Sequence, residues 1–341
     1  MLEHSKIYKN NDELDIKEIF ENNEIVAKYG IPCLDNDLKG ILKSDLILIG
    51  ASTGCGKSTI AKLIAEENAK NDKEITVISL ENFKGDDFLE NLFQEYKTIT
   101  KNYNIDIIDF ISLYQQGKIE KKSLKIAEQK ARERYKNISY IYREEEDYTT
   151  EQLKEDVKYI FRETQTDLII LDHVDYLDKE CGENDIDHIT KLMSTIRSMQ
   201  LVYKIPMVCI SHLRKNNIGN VKNPVLIPSL DDFIGSSNKT KIATVVIMLS
   251  PDEDVKAERN IGLKNYEKPT FCCIRKHRKL GRKVVGYAKR IIFDLRTGKY
   301  DSEKITNFQV NYTGNQINEI ENESVGYNAN YKTSSKELIG V

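Results

Sequence analysis

The amino-acid sequence predicts an α/β fold with a mostly parallel, twisted sheet flanked by helices. Three observations carry the prediction. From Asp45 onward, apolar strand-like runs alternate with helix-like stretches. The runs are short and unbroken, as in Leu46-Ile47-Leu48-Ile49 and Leu168-Ile169-Ile170-Leu171, which is how strands buried on both faces of a parallel sheet read. A Gly-rich turn then joins the first of these runs directly to a helical stretch.

In chain order, the first thirty residues are polar apart from Leu14, Ile16, Ile19 and Phe20. Their spacing puts apolar groups on one face of a short helix over Glu13–Glu21, and such a helix needs something outside itself to pack on. The strand at Leu46–Ile49 leads through the turn to a helix over Ser58–Lys70. A strand over Ile75–Leu80 and a helix over Asp86–Thr98 follow. Lys118–Arg134 is dense in charge and reads as a solvated helix. Next come a strand at Ser139–Tyr142, a helix at Thr150–Glu163, the strand Leu168–Leu171, a helix at Ile186–Tyr203 and a strand at Met207–Ile210. Later apolar runs are Val245–Leu249, Phe271–Ile274 and Arg290–Phe293. Asp301–Val341 is Asn-, Ser- and Glu-rich with little apolar periodicity, and it reads as a polar, mobile tail. The expected organisation is an N-terminal segment over 1–29, one α/β domain over 30–300, and the tail over 301–341.

Composition narrows the function. The 51 Lys+Arg and 54 Asp+Glu give a net charge of -3, which excludes a histone-like basic protein while leaving room for local positive charge. Charged residues at 31% and hydrophobic ones at 40% fit a globular chain. No run approaches the roughly 18 apolar residues that span a bilayer, and Met1–Lys6 lacks an apolar export segment. Cysteines at 33, 55, 181, 209, 272 and 273 form no zinc spacing. A reduced, cytoplasmic protein with no membrane partner is expected.

Ala51-Ser52-Thr53-Gly54-Cys55-Gly56-Lys57-Ser58 is a Walker A loop with Ala at its first position, followed by Thr59. Small residues let backbone N–H groups converge on phosphate oxygens, and the helix N-terminus adds its positive end. Lys57 would neutralise the β/γ-phosphates of ATP, and the Ser58 hydroxyl would ligate Mg²⁺. Asp172 closes an apolar run, the Walker B arrangement, and would hold the same metal. Glu81 ends Ile78-Ser79-Leu80-Glu81 at the depth of a general base. His212 follows Met207–Ile210, where it would sense the γ-phosphate. Lys276 and Arg278 fall in the basic cluster Arg275-Lys276-His277-Arg278-Lys279, which could clamp a phosphate of another subunit.

The order of these motifs resembles the C-terminal ATPase domain of DnaB-like replicative helicases, including the phage primase-helicase branch, from about Tyr29 to Tyr300. Gly30-Ile31-Pro32-Cys33-Leu34-Asp35 is similar to the segment before that family's first strand, and the family also uses Ala where Ala51 stands. Ser79-Leu80-Glu81 resembles its catalytic segment, Asp172-His173 its phage-branch Asp-His, and Ser211-His212-Leu213 its sensor. Lys276-His277-Arg278 is similar to the Lys-x-Arg whose arginine acts on a neighbouring subunit's ATP. Phe293 stands where the phage branch has an aromatic near the adenine.

The resemblance implies a RecA-like P-loop NTPase core. It also implies ATP hydrolysis with Mg²⁺ at the interfaces of a homo-oligomeric ring, expected as a hexamer, that translocates on single-stranded DNA. A non-unwinding RecA-like ATPase, acting as recombination mediator or replication accessory factor, stays open beside this. Arg214, Lys215, Lys222, Lys239 and Lys241 are the expected backbone contacts to DNA. Three features depart from the family, the first being that Lys241 stands near the place where the family commonly has a Gln. Asp231–Ser237 lacks the usual basic residue before its Gly-Ser, and the residues ahead of Gly30 leave no room for a primase or loader-binding domain, so a separate primase or loader is an expected partner.

Overall fold

The computed structural model describes residues 15–51, 55–143, 147–180, 182–213, 227–233, 238–252, 257–281, 285–310 and 317–320. The chain opens with α1 (Ile16–Glu21), capped by the Asp15 side chain, which accepts from the Lys17 amide. As its sequence suggested, α1 does not reach the core: Ile16 and Phe20 are 70% and 74% exposed. A small ribbon of β1 (Ile25–Ala27) and β2 (Ile41–Leu42) brackets α2 (Pro32–Leu38).

The main body runs β3 (Leu46–Ala51), α3 (Lys57–Ala69), β4 (Ile75–Ser79), α4 (Asp86–Thr100), α5 (Ile107–Gln115), α6 (Lys121–Arg134), β5 (Ile138–Tyr142), α7 (Thr150–Glu163) and β6 (Leu168–Asp172). It continues through α8 (Asp185–Tyr203), β7 (Met207–His212), α9 (Asn238–Ile242), β8 (Val245–Pro251), β9 (Glu267–His277), β10 (Tyr287–Asp294), β11 (Lys299–Tyr300), β12 (Thr306–Val310) and β13 (Ile317–Ile320). The sheet order is β13-β12-β10-β9-β8-β3-β7-β6-β4-β5, with β11 on the side of β10. From β8 to β5 the neighbours are parallel, and from β8 outward to β13 they are antiparallel.

Alternation along β3 shows why its apolar run is unbroken. Ile47 and Ile49 pack with Ile60 and Ile64 of α3, whereas Leu46 and Leu48 pack on the other face with residues of α7 and α8 such as Val157 and Leu192. Both faces need hydrophobes, so no polar residue interrupts the strand. Gly50 breaks the run for a steric reason: a Cβ there would lie 2.5 Å from Phe233 Cζ.

Two expectations change. The charge-dense stretch is helical from Lys121, but it is not merely solvated. Ser123, Ala127 and Ala131 are buried, and Ala127 joins Tyr96 and Phe110 in a small core between α4, α5 and α6. Small side chains let a charged helix approach closely. Within the stretch read as a polar tail, Thr306–Val310 and Ile317–Ile320 are strands of the main sheet, and Phe308 packs edge-on against Phe271. The alternation Phe308-Gln309-Val310 was too short to stand out in its Asn-rich surroundings.

Candidate functional site

The C-terminal ends of β3, β4, β6 and β7 lie side by side, since Ala51 pairs with His212 and Ser79 with Asp172. In a parallel sheet this edge is where ligands bind. Gly56 takes a φ of 80°, which glycine adopts without strain, and Lys57 opens α3 directly after it. Ser52, Thr53 and Gly54 lie outside the described residues. Lys57 is buried in the first turn, and desolvation lowers its pKa against the pull of Cys55, Asp172, Glu81 and Asp175.

The Ser58 hydroxyl is hydrogen-bonded to the Asp172 carboxyl group. Asp172 is buried, and its Oδ1 has no hydrogen-bond partner among the described residues. Burial pushes this carboxyl's pKa up, while Ser58 and His173 oppose the rise. An unpartnered buried carboxylate oxygen beside a hydroxyl is the donor set a hard divalent cation takes. The residues present therefore fit Mg²⁺.

Glu81 stands just beyond β4 with its side chain 48% exposed, 3.7 Å from His173 Nε2. The Tyr176 hydroxyl hydrogen-bonds to it. His212 Nε2 lies 2.8 Å from His173 Nε2, and the two rings meet edge to face. Burial first, then His173 and Lys57, lowers the His212 pKa and favours its neutral form. A carboxylate open to solvent and a neutral imidazole thus sit at the lip of the metal-type pair.

On the other flank of the loop, Phe293 lines a cleft of about 670 Å³ with Cys55, Gly56, Thr59, Leu295 and Tyr300. Phe293 and Tyr300 meet edge to face at 5.2 Å. The Asp252 carboxylate at the cleft floor accepts from Arg259 and Arg290 at 2.7–3.0 Å. Tyr300 and Asp252 escaped the sequence reading. Only the sheet register brings the chain's late strands beside its phosphate loop.

The remaining candidates lie elsewhere. His277 pairs with Val245, where β8 begins, and the Arg278 amide donates to the Thr244 carbonyl at 2.9 Å. Leu249 pairs with Ala51, so Arg278 lies about five strand residues, roughly 16 Å, below the phosphate loop. Its side chain is exposed. Lys276, expected to reach a neighbour's phosphate, instead donates from Nζ to the Thr240 and Lys241 carbonyls of its own protomer at 2.6 and 2.8 Å.

Lys239 also departs from expectation. It is completely buried, paired with Asp175 and hydrogen-bonded to Ser211, so it cannot line a DNA channel. The sequence disguised it because Lys241, two residues on, is an ordinary exposed lysine. Arg214, Lys215 and Lys222 lie outside the described residues. Asp175 was missed altogether. Burial alone would raise its carboxyl pKa, but His173, Lys239 and the His212 amide hold it well below the usual carboxylate range. Its nearest signal in sequence is an acidic residue three positions after the Walker B aspartate.

The chain is similar to known proteins in both sequence and fold. A "probable plasmid replicative DNA helicase" of Chlamydia trachomatis serovar L2 is 23% identical over 222 residues, 64% of this chain. The match spans 46% of that relative, so the chain covers less than half of its length. A solved DnaB-like replicative helicase, described with its interactions with primase, superposes with a TM-score of 0.64 at 17% identity, covering 84% of this chain and 63% of that one. The ATPase domain of G40P superposes at 0.60 with 16% identity, over 89% and 95% of the two chains. These two likenesses establish the RecA-like fold of DnaB ATPase domains. The sequence profile of the DnaB-like helicase C-terminal domain matches residues 27–297, and the chain belongs to that family.

Proposed function

We propose that this chain is the motor subunit of an ATP-dependent DNA helicase, working as a homo-oligomeric ring on single-stranded DNA during replication in the cytoplasm of a bacterial or phage-infected cell. One observation carries the reading. Ser58, Asp172, Glu81 and His212 gather at one end of the sheet, while the exposed Arg278 stands at the other. In a head-to-tail ring each interface joins unlike surfaces, so one protomer's Arg278 meets the next protomer's phosphate loop. The exposed apolar side of α1, with Ile16 and Phe20, fits a helix that packs on a neighbour.

Each residue then has a task. Lys57 and the loop amides bind the ATP phosphates, and Phe293 with Tyr300 walls the base. Ser58 and Asp172 would hold Mg²⁺, which when bound would supply positive charge to offset the negative charge developing on the phosphates. Glu81, half open to solvent, takes the proton of the attacking water. His212, kept neutral by its surroundings, reports the γ-phosphate to the strand behind it. Arg278 of the adjacent subunit stabilises charge developing on the transferred phosphoryl group. Lys241 and the basic residues after His212 contact DNA backbone, and a primase or loader is a partner of the ring.

The test is ATP turnover with and without single-stranded DNA, followed by displacement of a labelled strand from a forked duplex. Stimulated turnover with displacement supports the helicase. Stimulated turnover without displacement favours a non-unwinding ATPase that mediates recombination or assists replication. Turnover indifferent to DNA overturns both.

A further inference from the structure

Helix α9 is gripped from two sides. On one, the buried Lys239 ammonium pairs with Asp175 Oδ1 and donates to Ser211 Oγ at 3.0 Å. Asp175 Oδ2 accepts from the His212 amide at 2.6 Å and lies 3.5 Å from His173 Nδ1. On the other, the terminal carbonyls of Thr240 and Lys241 accept from Lys276 Nζ. Two residues after Lys276 comes Arg278, whose amide is tied to the carbonyl of Thr244, two residues beyond α9. A continuous polar path therefore runs from His212 to Arg278 through a helix of five residues.

Two physical arguments give this path a task. A helix of one turn has almost no stability of its own, so its anchors determine its position. A buried ion pair is a poor stabiliser, because an apolar pair of the same volume often does as well. Lys239–Asp175 is thus better explained by what it aligns than by what it stabilises.

We propose that Lys239 and Lys276 are positioning residues that make α9 a strut, coupling nucleotide sensing at His212 to the aim of Arg278 on the neighbouring subunit's ATP. The proposal rests on the assignment of Arg278 as a residue acting in trans. When His212 shifts with the state of the γ-phosphate, Asp175 and Lys239 carry the shift to α9, and Lys276 carries it to the Arg278 turn. One protomer's nucleotide would thereby set the hydrolysis rate at the next interface.

The experiment is a double-mutant cycle on the full chain, with Lys239→Met, Lys276→Met and the pair. Misplacing a catalytic group by an ångström costs on the order of 10²-fold. Each single variant is expected to lower kcat by about 10–100-fold while changing the KM for ATP little, and to flatten cooperativity in ATP. Because the two act in series, the double variant should be no slower than the worse single one. Multiplicative losses, a change in KM alone, or wild-type kcat and cooperativity in either single variant overturn the strut.

Lys239→Met leaves a buried carboxylate unpaired and could fail to fold, so Lys239→Met with Asp175→Asn is made alongside it. This variant should melt near the wild type yet remain slow and non-cooperative. Restored kcat and cooperativity would make the pair merely structural. Hydrogen exchange separates this proposal from the function reading. ATP analogue should alter protection of the Ala243 amide, which donates to the Lys239 carbonyl at the end of α9, and Lys239→Met with Asp175→Asn should abolish that response. An unaltered response in that double variant overturns the strut whatever Arg278 does, whereas full turnover in Arg278→Ala overturns the trans assignment instead.

Discussion

The two ends of the parallel strands differ in what they lack. The C-terminal end holds Asp172, Glu81, Asp175 and two histidines around two lysines, Lys57 and Lys239, an excess of carboxylate with a buried oxygen unpartnered among the described residues. The N-terminal end holds Arg278 beside Arg197 and Lys276, and Arg278 lowers the pKa of both these neighbours, after the larger effect of their burial. One end needs cations and the other repels them. On the proposed reading, a second copy and a nucleotide would complete both together.

The sharpest way to break this comparison is Arg278→Ala. Removing a guanidinium that stabilises phosphoryl transfer costs about 10³–10⁵ in rate, with nucleotide affinity comparatively spared. Mixed with Lys57→Ala subunits, themselves expected to be inactive, Arg278→Ala subunits should recover part of the turnover, because some interfaces then join an intact loop to an intact arginine. Mixed oligomers as inactive as their components would return Arg278 to a structural role. Next in size is Glu81→Gln. The amide is nearly isosteric but cannot take a proton, so turnover should fall by about 10²–10⁴ while a fluorescent nucleotide still binds. Wild-type turnover would remove Glu81 as the base.

The two ends also differ in how plainly the sequence announces them. Ala51–Ser58, Asp172 and Glu81 are legible because each terminates an apolar strand, and chemistry at strand ends leaves a local pattern. Most strands and helices of the parallel half are legible for the same reason. Asp175 and Lys239 were not, since their pairing across 64 residues exists only after β6, β7 and α9 assemble. Lys276 was placed by its neighbours in sequence, but its partner is a helix end 36 residues away. Beyond Asp301, β12 and β13 were missed because their hydrophobic content is low and they need β10 already in place.

A packing variant sharpens the contrast at the loop-bearing end. Gly50→Ala puts a methyl group against the Phe233 ring, 2.5 Å from Cζ, and against Leu213 Cδ2 at 2.9 Å. Overpacking of this kind costs about 1–3 kcal/mol. The urea midpoint should fall accordingly, and ATP turnover should fall with it as β3 and β7 are pushed apart. An unchanged midpoint would mean that Phe233 moves aside freely.

The smallest effect belongs to the arginine end and is a pH dependence. His277 Nδ1 accepts the amides of Lys279 and Leu280 at 3.3 and 3.0 Å, holding the turn that carries Arg278. Accepting both requires that Nδ1 carry no proton. Burial chiefly, with Lys279 adding to it and Asp45 opposing, lowers the His277 pKa below the ordinary histidine value. The unfolded chain takes up its proton near pH ~6.5, whereas folded His277 takes it up only at lower pH. Between these values the unfolded state binds more protons, so the contribution of His277 to stability is present above pH ~6.5 and is lost as pH falls through the window below it. His212, lowered as well, acts with the same sign. His277→Asn keeps an acceptor near the Nδ1 position and removes the titration, so its melting temperature should drop less than the wild type's between about pH 7.5 and about pH 5.5. An identical drop would mean that the turn does not depend on the neutral imidazole, and the acid sensitivity of the fold would then belong to the carboxylate end alone.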